Sequence, residues 1–157
     1  MTPEQFLELH QITTVLHEHP AVFTCEEAEI HCAHIPGLAC KNLFLKGKSG
    51  RYFLVILPAN KRTDLKKFAQ TVSETKVSFA SPEAMKEKLN LEPGSVSPFG
   101  LLNDTEKSIE VYIDRDVHNA EIVGFHPNRN TATLELSKEM FHKFLELLGQ
   151  KVSILET

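Results

Sequence analysis

Asn42-Leu43-Phe44-Leu45-Lys46, Gly47-Lys48-Ser49-Gly50 and Arg51-Tyr52-Phe53-Leu54-Val55-Ile56-Leu57 decide the fold of this chain. The outer runs are apolar and aromatic, and the glycine-bounded middle supplies a turn, so the three read as a β-hairpin. From Tyr52 to Leu57 no charged residue interrupts the second arm, as expected of a central strand covered on both faces. Such a strand needs packing layers on each side, and the flanking segments supply them. Downstream, Leu65, Phe68, Ala69 and Val72 fall at i, i+3, i+4 and i+7, the one-sided stripe of an amphipathic helix whose lysines face outward.

The rest of the chain alternates helix and strand signals. Thr2-Pro3-Glu4-Gln5 opens a helix with a hydroxyl cap, Pro at the first helical position and Gln three residues after the cap; it ends near His10. The β-branched run Ile12-Thr13-Thr14-Val15 predicts a strand that ends in the turn-prone His17-Glu18-His19-Pro20. Thr24 with Glu27 caps a short helix that stops before Pro36-Gly37, and Ser81-Pro82-Glu83-Ala84 caps another through Leu89. A loop punctuated by Gly and Pro follows from Asn90 to Gly100. Beyond it, Ile109, Val111 and Ile113, then Ala132, Leu134 and Leu136, alternate with polar neighbours, which predicts half-buried antiparallel strands, with Ile122-Val123-Gly124-Phe125 between them. Phe141, Phe144, Leu145 and Leu148 give a last helix its apolar face, Gly149 ends it, and Val152 and Ile154 suit a closing strand. The expected fold is α+β: a mixed, largely antiparallel sheet or partly closed barrel with surrounding helices, one domain over residues 1–157.

Composition narrows the function classes. The chain has 157 residues, 41% hydrophobic and 24% charged, enough for a single sizeable core. No apolar stretch reaches the roughly 20 residues that span a bilayer, and Met1-Thr2-Pro3-Glu4-Gln5 lacks a secretion-signal pattern, so a membrane partner is not expected and the expected location is cytoplasmic. Three cysteines, an odd count, fit reduced thiols rather than a disulfide framework. The net charge of −4 conceals an asymmetry: residues 41–67 carry eight Lys and Arg against Asp64 alone, locally +7, leaving about −11 elsewhere. Such a segment can receive phosphates or be a solvated face.

Two groups of residues carry possible chemistry. His17, His19, Cys25, His31, Cys32, His34 and Cys40 crowd one region, but no CxxC or HExxH spacing organises them into a zinc site, and nothing in the sequence positions a base beside a thiol. Buried thiols and turn histidines are the expected reading, with no metal and no cofactor. The second group is Cys40-Lys41-Asn42-Leu43-Phe44-Leu45, Gly94-Ser95-Val96-Ser97-Pro98 and Gly124-Phe125-His126-Pro127-Asn128.

In this order and spacing, the three segments resemble the editing domains associated with prolyl-tRNA synthetase, the YbaK or ProX type. The resemblance spans nearly the whole chain and takes in His17-Glu18-His19-Pro20 with Val22-Phe23-Thr24, Leu101-Leu102-Asn103-Asp104, and Thr131-Ala132-Thr133-Leu134. It implies hydrolysis of the ester joining a mischarged amino acid to the terminal adenosine of tRNA(Pro), without metal or covalent intermediate. Lys-Asn-Leu-Phe-Leu and Gly-Phe-His-Pro are similar to the free-standing alanyl-tRNA(Pro) deacylases, which act in trans. Carried over, Lys41, His126 and Gly94 are the catalytic candidates, and Asn42, Ser95 and Pro98 the substrate-binding ones. The mischarged tRNA is the implied partner, with prolyl-tRNA synthetase as a further one. Lys61, Arg62, Lys66 and Lys67 are the residues expected to meet the acceptor end. Esters of cysteine or another small residue, and a module that binds tRNA or a synthetase without cleaving, stay open as alternatives.

The residue types suit that chemistry. Ester hydrolysis develops negative charge on the carbonyl oxygen, and backbone N–H groups beside a glycine can be aimed at it. Lys41 is a point charge for a 3′-end phosphate or the ester, Asn42 offers donor and acceptor, and His126 is suited to orienting the substrate or a water. A ribose hydroxyl of the tRNA that relays protons would remove the need for a strong protein base.

Overall fold

The structure is a computed structural model that describes residues 2–22 and 24–156, leaving aside the side chains of Cys25, Ala28 and Glu29. Eight strands are described: β1 (Val15–Glu18), β2 (Leu38–Gly47), β3 (Tyr52–Pro58), β4 (Val77–Phe79), β5 (Glu110–Asp114), β6 (Ile122–Phe125), β7 (Ala132–Ser137) and β8 (Val152–Leu155). The helices are α1 (Pro3–Leu9), α2 (Cys25–Cys32), α3 (Leu65–Thr71), α4 (Pro82–Leu89), α5 (Arg115–Asn119) and α6 (Lys138–Leu148), with a 3-10 turn at Pro98–Asn103.

The hairpin forms as its sequence dictates. Gly50 takes φ +100° in the turn, and Gly47 N–H closes it on the Arg51 carbonyl at 2.8 Å. Pairing sets Lys41 against Leu57, Asn42 against Ile56 and Lys46 against Tyr52. Because successive side chains of a strand point to opposite faces, β3 feeds two cores. Leu54 and Ile56 join Phe44, Phe99, Phe125, Leu134, Phe141 and Phe144 in the larger core, whereas Phe53, Val55 and Leu57 pack with Leu45, Phe68 and Val72 beneath α3. Phe53 to Leu57 are almost wholly removed from water, as the uninterrupted apolar run requires.

The sheet follows the path β1-β7-β6-β2-β3-β5-β8, with β4 added to β2. It is an open mixed sheet: β1 and β8 are its ends, and the described residues hold no pairing that closes a barrel. Four pairings are antiparallel (β1–β7, β2–β3, β2–β4, β6–β7) and three parallel (β2–β6, β3–β5, β5–β8).

Two local expectations need correction, and two short elements were not foreseen. The Ile12–Val15 run does not make the first strand. Ile12 N–H is drawn back to the Leu7 carbonyl at 2.8 Å as α1 ends, Gln11 takes φ +57°, and pairing with β7 begins only at Val15, so the strand occupies His17 and Glu18 as well. The alternation at Val111 and Ile113 reflects two coverings of unequal polarity, since β5 is parallel to both neighbours. Its polar-looking face carries Tyr112, packed edge-on against Phe68 at 5.2 Å, and Glu110, bonded twice by Arg51 at 2.9 Å. Finally, β4 and α5 are too short to leave a periodic signal.

Candidate active site

β2 is the strand at which the sheet divides. On the edge not used by β3, β6 pairs only with Leu38 and Ala39, and β4 only with Leu45, Lys46 and Gly47. Neither strand pairs with the interval Cys40–Phe44; its far end is shut by Ala80 N–H on the Phe44 carbonyl at 2.9 Å. Lys41 and Asn42 lie in this gap. Being consecutive, they point to opposite faces: Lys41 shares the face of Leu57 and the smaller core, Asn42 that of Ile56 and the larger one. Asn42 Oδ1 is buried without a hydrogen-bond partner among the described residues. A buried amide oxygen left unpaired costs about 1–3 kcal/mol, so it is an acceptor open to a ligand's N–H or O–H.

The ladder between β2 and β6 brings His126 to the same side as Lys41. Ala39 lies beside Gly124, and the same alternation, carried one residue past the end of β6, sets Lys41 and His126 on one side. His126 Nδ1 lies 2.9 Å from the Ala132 carbonyl, which can only accept, so Nδ1 carries the proton. Nε2 of the neutral ring is then left as an acceptor. Burial pushes the imidazole below its ordinary value and the nearby His19 adds to this, against the opposing hydrogen bond to Ala132. His19, ring centre 6.0 Å away, is itself fixed between the Pro20 carbonyl (2.8 Å) and Thr133 Oγ1 (2.9 Å). The site thus holds an uncharged histidine of defined tautomer.

The loop before the 3-10 turn is tied to the His126 segment by side chains. Ser97, fully buried, donates from Oγ to Asn128 Oδ1 at 2.8 Å and accepts Phe99 N–H at 3.2 Å. Pro98 starts the 3-10 turn and is buried with Phe99, whose ring packs against Phe125 and Phe144. Gly94 and Ser95 stand further out. Gly94 has φ +89° after Pro93, and Ser95 N–H closes that turn on the Glu92 carbonyl at 3.1 Å. The Ser95 amide is therefore engaged inside the loop.

Residues 19–144 match the family model described as the aminoacyl-tRNA editing domain. The chain belongs to that family. The prolyl-tRNA editing protein ProX of Acetoanaerobium sticklandii is 37% identical over 147 residues, 93% of this chain and 90% of that one. Prolyl-tRNA synthetase associated domain-containing protein 1 of Danio rerio is 35% identical over 145 residues, 91% of this chain and 79% of its own. Among solved structures, a candidate trans-editing enzyme for prolyl-tRNA synthetase superposes with a TM-score of 0.72 at 23% identity, covering 99% of this chain and 96% of that one. At that identity the likeness concerns the fold.

In this editing domain the expected phosphate-binding residues part company. Lys61 Nζ sits 3.1 Å from Asp114, which is wholly buried, and 2.9 Å from Asp116; these hydrogen bonds push its ammonium above the usual range. Lys61 is thereby committed to the fold, whereas Arg62, Lys66 and Lys67 are exposed on and before α3. That helix covers the smaller core, on the same face of the sheet as Lys41. The histidine and cysteine crowd is dispersed among structural partners: His17 pairs with Glu135 at 2.9 Å, and partial burial of Cys40 pushes its thiol up to about 12. Burial also raises Cys32, eased by a hydrogen bond with Thr133, so neither thiol is poised as a nucleophile. The side chain of Cys25, and Phe23 of the Val22-Phe23-Thr24 motif, lie outside the described residues. Ser97, Asn128, His19 and Thr133 were not foreseen as site residues. Their sequence signal was membership of the segments that carry the resemblance and, for His19, of the histidine and cysteine crowd.

No helix of the described residues is long and apolar enough to cross a membrane.

Proposed function

We propose that this editing domain hydrolyses the ester of mischarged tRNA(Pro), alanine being the amino acid removed, in the cytoplasm where translation runs. The observation that carries the reading is the placement of Lys41 and neutral His126 on one face, at the gap in the edge of β2. The 3′ end of the tRNA enters the gap with its ester beside Lys41. The ammonium group stabilises negative charge growing on the carbonyl oxygen, a role in which a preorganised donor contributes about 10²–10³ in rate. His126 Nε2 accepts a hydrogen bond from the attacking water or the terminal ribose hydroxyl, and that hydroxyl relays the proton to the leaving oxygen. The open Asn42 Oδ1 suits the substrate's α-ammonium group or ribose hydroxyl. Ser97, between Ser95 and Pro98, ties the loop that walls the site to Asn128. Gly94 allows close approach of the terminal adenosine.

Specificity rests on exclusion. Attraction through one methyl group is worth about 1–3 kcal/mol, too little for editing, whereas a pocket too narrow for proline's ring spares the correct product. Arg62, Lys66 and Lys67 offer charge to the acceptor end, and prolyl-tRNA synthetase is the protein partner this reading favours.

Single-turnover deacylation of tRNA(Pro) charged separately with alanine, cysteine or proline tests the reading. Rapid loss of alanine, slowed about 100-fold or more by Lys41→Ala, is expected. Loss of cysteine instead changes the substrate and keeps the mechanism; three stable esters would overturn it.

A further inference from the structure

At the opposite end of β2 from its junction with β6, the hairpin turn and β4 enclose an open cleft of about 460 Å³, lined by Lys46, Gly47, Lys48, Thr75, Lys76 and Ser78. Three lysines and two hydroxyl-bearing residues line it, with no acidic residue among them. Register sets Lys46 beside Ser78, and Lys48 N–H bonds the Lys76 carbonyl at 2.9 Å, so lysines distant in sequence are held together by backbone. Lys88 extends the group: its ammonium and that of Lys46 lie 5.5 and 5.6 Å from the centre of the Tyr52 ring. A ring face holds a cation without neutralising it.

None of Lys46, Lys48, Lys76 and Lys88 forms an ion pair among the described residues. The neighbouring Glu74 is turned under Gly47, where its carboxylate takes Ser49 N–H, Ser49 Oγ–H and Arg51. Unpaired cations held close repel one another, and a polyanion relieves that repulsion. Lys and hydroxyl side chains are the groups that hold nucleic-acid phosphates.

We propose that this cleft grips the phosphate backbone of tRNA near its acceptor end. The inference rests on the deacylase reading for the identity of the nucleic acid. Lys46 lies five residues along β2 from Lys41, roughly 17 Å at strand spacing, and shares the face of Asn42. Backbone held at the cleft therefore leads the single-stranded terminus to the gap from the Asn42 side, and the terminus passes through the gap to reach Lys41 on the opposite face. Lys76 and Lys88 fall outside the basic segment visible in the sequence, and the turn joins them to it.

The test is binding of uncharged tRNA(Pro) as a function of salt, for the native chain, for K46A/K48A/K76A, and for K138A/K143A/K151A, which removes the same charge away from the cleft. The expected result is at least a tenfold weaker affinity for the cleft variant near 0.1 M salt and a log–log salt slope shallower by about 2–3. The control keeps the native slope, and hydrolysis of alanyl-adenosine, which has no phosphate backbone, is unchanged in the cleft variant. A cleft variant with the native slope, or two variants that fall alike, would overturn the proposal. A native chain that cleaves no ester would defeat the deacylase reading alone, because the slopes decide the cleft without catalysis.

Discussion

β3 and β7 each run through the middle of their part of the sheet, yet they face different surroundings. β3 is apolar on both faces, with Phe53 to Leu57 sealed between the two cores. β7 gives Ala132, Leu134 and Leu136 to the apolar interior; its other face carries buried Thr133 and half-buried Glu135, which hold His19 and His17. The β3 side supplies stability from burial, and the β7 side spends part of its surface on orienting polar groups. The gap at Lys41 lies where they join.

Phe53→Ala should have the largest effect on stability, about 3–5 kcal/mol in denaturant unfolding, because it empties the smaller core. Deacylation per folded molecule should hardly change; a large catalytic loss would show that the β3 side also shapes the site. Ser97→Ala is expected to cost less, about 1–3 kcal/mol, by leaving Asn128 Oδ1 and Phe99 N–H unpaired. Its single-turnover rate should drop as the 94–98 and 126–128 loops lose their tie, and a native rate would mark Ser97 as a packing residue only.

The smallest effect concerns His126. Its folded value lies below the unfolded one of about 6.5, through burial, so its contribution to stability is fully present above that pH. As pH falls through 6.5 the unfolded chain takes the proton first, and stability declines until the folded value is passed. Melting of native and His126→Asn chains between pH 7.5 and 5 should show the native losing more. Equal losses would mean that the β7 side does not exclude the charged ring.

How much of this was legible depended on range. Thr2 with Gln5, and Ser81 with Ala84, make their caps within one helical turn, so α1 and α4 fall where local sequence places them. The β2–β3 hairpin is equally local. The start of β1 was not, since the choice between Ile12 and Val15 is made by β7 more than 110 residues later. At the site, Lys41 and His126 stood out only within segments that resemble a family. The tautomer of His126 is set by the Ala132 carbonyl, and Ser97 meets Asn128 across 31 residues; no spacing rule announces either contact. Charge counting put Lys61 among the phosphate binders, and buried Asp114 claims it.

Tyr52, clasped by Lys46 and Lys88 and stacked on Phe44 at 5.3 Å, gives the molecule an optical property. The chain has no tryptophan and two tyrosines, and the other, Tyr112, packs against Phe53 and Phe68 beneath α3. Intrinsic emission therefore comes from two lamps, one at the cation-lined turn and one in the smaller core. An anion that draws both ammonium groups off the Tyr52 ring alters the first lamp and leaves the second as an internal standard, so the unlabelled chain is its own indicator of occupancy at that turn.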